Sequence, residues 1–152
     1  MRHSGGVSTF IHKDIPATKL NVKVPDHLEV LWVSVRPKWL PRSVSNIIIC
    51  GIYYPGSNSI YAPPQEELVT YLTESVQKFM NKYTSPLFML MGDFNDMNID
   101  EICKICRFEK STFGLVEKNQ NCHRKTFFSG WVEGKIWFPF FTTVVCLDKL
   151  WS

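Results

Sequence analysis

Residues 85–96 read SPLFMLMGDFND. Leu87 to Met91 is an unbroken apolar run, stopped at Gly92 and followed by Asp93, Asn95 and Asp96 around a single Phe94. A short apolar run bounded by Pro and Gly suits a strand buried on both faces. An Asp at the carboxyl end of such a strand is a reactive group on a rigid support. Gly92 lets the backbone turn sharply or lets a ligand come close. Asp93 can take a proton or bind a hard cation, and Asn95 can donate to a developing oxyanion. Gly, Asp and Asn are also the usual residues of a plain turn, so both readings stand at this point.

Outward from this stretch the chain punctuates itself clearly. Upstream, NIIICGIYY at 46–54 is β-branched and apolar on both faces, which predicts a second strand buried on both sides. Pro55-Gly56-Ser57-Asn58-Ser59 is a turn cluster. Between the two strands, Leu68, Leu72, Val76, Phe79, Met80 and Tyr83 recur at helical spacing, with charged residues elsewhere, and predict a helix over about 64–83. Pro64 suits its first helical position, and early Glu66 and Glu67 suit its dipole. Downstream, NIDEICKICRF predicts a short helix with Asn98 and Glu101 at capping-box spacing.

Before residue 46, VSTFI, TKLNVKV and LEVLWVSV read as three strands with no helix between them, which argues for antiparallel pairing. RPKWLPRS then marks an exposed loop. The expected fold class is α/β, a mostly antiparallel sheet covered by helix. Beyond about residue 108 the periodicity fades, and the last 26 residues hold 8 of the 21 Phe, Trp and Tyr residues.

The 152 residues make one domain's worth of chain, and 45% hydrophobic with 20% charged composition is that of a globular protein. The formal charge of +3 permits a nucleic-acid partner without arguing for one. Five cysteines and no apolar leader after Met1 fit reduced thiols in a cytoplasmic or nuclear setting. The apolar run Ile136 to Leu147 is short of the ~20 residues a membrane span needs, so no membrane is expected.

The two motifs together carry a resemblance. A strand ending in Tyr53-Tyr54-Pro55, then a helix, then a strand ending in Gly92-Asp93-Phe94-Asn95 resembles the endonuclease/exonuclease/phosphatase family. With the opening GGVSTFIHKDI and the later LEVLWVSV, it is most similar to the endonuclease domain of LINE-type (non-LTR) retrotransposons. The resemblance covers about residues 4 to 107. It implies part of a four-layered α/β sandwich, with residues 108–152 a divergent tail or the end of the same domain. It also implies a Mg²⁺-dependent hydrolysis of DNA phosphodiesters. Asp93 would handle the proton of the attacking water, Asn95 would hold the scissile phosphate, and Tyr53 would touch it. Asp96 would support them.

The departures are as informative. The family's metal-binding Asn and Glu, expected ahead of residue 4, are not in this sequence, and neither is its Ser-Asp-His segment. Asp148, in CLDKLWS, matches the aspartate that would pair with that His. The expectation is therefore an incomplete copy of a nicking enzyme. Its rivals are a non-catalytic remnant and an α/β interaction module in which GDFND is only a turn.

Three weaker signals remain. Cys103 and Cys106 with Cys122 and His123 invite a zinc reading, but thiols three apart on a short helix are ordinary core. Arg36, Lys38 and Arg42 around Trp39 suit phosphate contacts and stacking, or simply a solvated loop. His12, His27 and His123 show no partner at a telling spacing.

Overall fold

The computed structural model describes residues 7–106, together with the backbone of residues 109–112 and 127–130. Asp148, the Cys122–His123 pair and most of the aromatic tail lie outside the described residues. In chain order the elements are β1 (Ala17–Lys19), β2 (Glu29–Val35), β3 (Ile47–Tyr53), α1 (Gln65–Lys82), β4 (Leu87–Asp93), α2 (Asp100–Cys106), β5 (Glu109–Thr112) and β6 (Phe127–Gly130). They build a mixed α/β arrangement around one sheet, ordered β1-β2-β3-β4-β6-β5.

The early strands pair antiparallel, β1 on β2 and β2 on β3. β3 and β4 are parallel over seven residues, from Ile47 opposite Leu87 to Tyr53 opposite Asp93. Parallel neighbours need a crossover of a dozen or more residues, and the segment carrying α1 supplies it. Because side chains alternate along a strand, each face of β2, β3 and β4 has its own core. On the helix side, Trp32, Ile48, Cys50, Ile52, Phe88 and Leu90 meet Leu68, Leu72, Val76 and Phe79 of α1 and Ile102 of α2. The Phe79 ring sits 4.9 Å from that of Trp32, tilted by 59°. On the other side, Val33, Val35, Ile47, Ile49, Leu87 and Met91 are covered by Ile11, Ile15, Leu40 and Val44. Among the described residues no helix is long and apolar enough to cross a membrane.

Five local expectations need correction. The stretch 7–11 is not a strand, and of TKLNVKV only Thr18 and Lys19 pair, in a strand that begins at Ala17. Residues 7–11 instead lie across the sheet face, with Val7 Cγ1 2.7 Å from where a Gly51 Cβ would stand. Met80 is 59% exposed, because at 100° per residue it falls about 120° round the helix from Leu68. Val69 and Ser75 are buried on the stripe instead. Pro64 caps α1 from outside, with Glu67 and Leu68 donating to its carbonyl at 3.1 and 3.3 Å. At α2, Asn98 Oδ1 accepts from Asp100 N–H at 3.1 Å, but the Asn98 N–H goes to Gln65 Oε1 rather than to Glu101.

Candidate functional site

β3 and β4 run the same way, so their carboxyl ends emerge side by side. Tyr53 is the last residue of β3, and it stands directly opposite Asp93, the last of β4. On the other flank Tyr53 stands opposite Glu29, the first residue of β2. By alternation all three side chains leave the face away from the helices. A phenol between two carboxyls loses water and meets like charge if it ionises. Burial pushes the Tyr53 hydroxyl up, and Asp93 and then Glu29 push it further. The Glu29 carboxyl is also raised by burial, and its Oε2 has neither solvent nor a hydrogen bond.

β4 does not stop at Met91 as the apolar run implied. It continues through Gly92, whose φ is +148° and whose missing Cβ would lie 1.8 Å from the Ile52 carbonyl oxygen. Gly92 is therefore required by the close approach of two strands.

The turn after β4 is knitted to the loop after β3. The Asn95 N–H donates to Asp93 Oδ1 at 3.2 Å. Its side-chain Nδ2 donates to the Tyr54 carbonyl at 2.6 Å, and the Tyr54 N–H donates to the Asp93 carbonyl at 2.8 Å. Asn95 adopts a φ of +44°, a left-handed conformation that Asn tolerates better than most residues. One of its two amide hydrogens is thus spent on fixing the plane, and the other remains for a ligand. Asp96 reaches back 39 residues: its Oδ1 accepts the Ser57 N–H at 2.8 Å, and its Oδ2 accepts the Ser57 hydroxyl. Those hydrogen bonds hold the exposed Asp96 carboxyl below its ordinary range. Nothing in the local sequence marks Ser57 as more than a turn former, because its partner lies 39 residues away.

Tyr53, Asp93, Asn95 and Asp96 are brought together at one end of the sheet. Arg36, Lys38 and Arg42 are not. They follow Val35, which pairs with Ile47 at the start of β3, so the length of a strand, about 20 Å, separates them from Tyr53. His27 does have a partner, Glu67 Oε1 at 2.7 Å, on a helix 40 residues away. Cys103 and Cys106 lie on α2 without a disulfide.

A hard divalent cation wants several oxygen ligands. Among the described residues no three His, Cys, Asp or Glu side chains converge to hold a metal ion, and Tyr53 stands between Asp93 and Glu29. What the arrangement offers is a fixed carboxylate, an oriented amide and a phenol on one rigid edge. No family model matches the chain, and no curated protein or solved structure matches it.

Proposed function

We propose that residues 4–107 are part of an endonuclease/exonuclease/phosphatase domain of LINE type, a portion of its four-layered α/β sandwich, and that its substrate is the DNA phosphodiester. The observation that carries the reading is the meeting of Tyr53 and Asp93 on adjacent parallel strands, with Asn95 fixed beside them. In this reading Asp93 accepts the proton of the attacking water as the new P–O bond forms and the bond to the leaving sugar oxygen breaks. Asn95 and Tyr53 donate to the phosphoryl oxygens, whose charge grows in the transition state. The Asp96–Ser57 tie holds the two loops at a fixed spacing, which positions Asn95.

Magnesium belongs to the reaction of intact domains, where it neutralises phosphate charge. In this reading the described residues supply substrate contacts and water handling, and the 152-residue chain hydrolyses DNA poorly or not at all. A second reading, a non-catalytic remnant or interaction module, has its own observation. Asp93, Asn95 and Asp96 each make a hydrogen bond that a purely structural double turn would need.

The test grafts the missing metal-bearing ends from an intact relative onto the chain and measures plasmid nicking at saturating Mg²⁺, with folding checked by circular dichroism. Asp93→Asn keeps size but cannot take the proton, a loss of about 10²–10⁴ in rate. Asn95→Ala removes a transition-state donor, a loss of about 10²–10³. Asp96→Asn should cost far less than either. If Asp96→Asn is the most damaging, or all three nick like the parent, the roles assigned here are wrong. Efficient nicking by the ungrafted chain would also defeat the reading.

A further inference from the structure

Ile60 and Tyr61 occupy the two central positions of a β-turn, closed by the Ala62 N–H on the Ser59 carbonyl at 3.0 Å. Turn apices favour Gly, Pro, Asn and Asp. Here they hold a β-branched residue 89% exposed and an aromatic one 68% exposed. The stem beneath them is firmly held. The Ser59 N–H donates to the Gly56 carbonyl at 3.0 Å, and the Tyr61 N–H donates to Ser59 Oγ at 3.2 Å. Ala62 packs on the core and Pro63 is buried, while Ser57 is tied to Asp96. A rigid stem presents two apolar side chains to water.

That tip is also joined to the site through a short length of chain. Ser57 joins the GDFND turn, and Tyr61 lies four residues on, at most about 14 Å of chain away. A DNA strand rises about 3.4 Å per nucleotide, so bases a few steps from a phosphate at Tyr53 and Asp93 come within its reach. The loop cations Arg36, Lys38 and Arg42 stand at the far end of β2 and cannot grip DNA at this point. The contact that these two side chains can themselves offer is stacking rather than charge.

We infer that Tyr61, with Ile60 beside it, is a stacking surface for a nucleobase flanking the phosphate that Tyr53, Asp93 and Asn95 receive. The inference rests on the nuclease reading above, because it needs a DNA strand at that phosphate. A base offers a π-face whatever its identity, so the tip adds affinity without sequence preference.

The test is fluorescence anisotropy of a fluorescein-labelled single-stranded DNA oligonucleotide with the full chain, across a range of salt concentrations. Tyr61→Ala should weaken binding by about 5- to 100-fold, the usual range for losing one base–aromatic stack. Tyr61→Trp should bind like the parent, because an indole stacks as well. The salt dependence should be the same in all three, since no charge is removed. If the parent binds and Tyr61→Ala binds equally, the stacking inference fails while the nuclease reading stands. If the parent chain does not bind the oligonucleotide, the stacking inference fails, and plasmid nicking by the grafted chain decides the nuclease reading separately.

Discussion

Replacing Gly92 with alanine tests how β3 and β4 are joined at the site. The added Cβ would stand 1.8 Å from the Ile52 carbonyl oxygen, 2.7 Å from its carbon and 2.9 Å from the Ile52 nitrogen. All three are backbone atoms of the neighbouring strand, so no side chain can swing aside. Either the strands part or the backbone leaves a φ of +148°, which an L side chain rarely adopts. Backbone strain of this kind costs about 1–3 kcal/mol, and forcing a methyl into a packed region costs about 1–3 more. A total of about 2–6 kcal/mol is a large share of the 5–15 kcal/mol that holds a typical domain folded. Gly51→Ala is the control, since it adds the same methyl on β3. There the Cβ meets Val7 Cγ1 at 2.7 Å, a side-chain methyl on a segment that can yield, and it should cost about 1–2 kcal/mol. Urea denaturation followed by Trp fluorescence reads both. With a slope near 2 kcal/mol per M, Gly92→Ala should lower the midpoint by about 1–3 M. A midpoint that stays at the parent's, or falls less than for Gly51→Ala, would refute the close approach of the two strand ends.

Tyr71→Phe removes the hydroxyl that accepts the Trp32 Nε1–H at 3.1 Å, stranding a donor on a side chain only 1% exposed; urea midpoints should report a loss of about 1–3 kcal/mol. Glu29→Gln should raise the melting temperature at pH 7. Burial raises the Glu29 carboxyl above its ordinary value of 4.5, so the folded state holds that proton more tightly than the unfolded one. Stability is then lost as pH rises from the unfolded value towards the folded one, and the advantage of Gln should vanish below about pH 4. A gain that persists in acid would count against a desolvated carboxyl. Ser57→Ala removes the hydroxyl half of the Asp96 tie; amide exchange should quicken over 55–62, and the Asp96 carboxyl should move back up towards its usual range by NMR titration.

Much of the frame is legible in the chain itself. The apolar runs at 46–54 and 87–91 and the stripe from Leu68 to Phe79 state which residues must be buried and with what period, so the two strands and the helix between them follow from local pattern alone. The order strand, helix, strand then makes parallel pairing the economical solution, and parallel pairing brings two carboxyl ends together. Period says nothing about partners across the fold. Whether Gly92 serves a turn, a ligand or a neighbouring strand depends on how near Ile52 comes, which only the packed sheet decides. The same holds for Ser57 and Asp96, separated by 39 residues, and for His27 and Glu67, separated by 40. It holds for RPKWLPRS, whose cations sit at the far end of β2 because an antiparallel strand reverses direction. Residues 7–11 had the composition of a strand but crossed the sheet instead, since the face over Gly51 had room for a covering segment. Hydrophobic pattern is a property of neighbours in sequence and is set before folding. Register, close approach and long-range hydrogen bonds are properties of neighbours in space, and they exist only once the whole chain has packed.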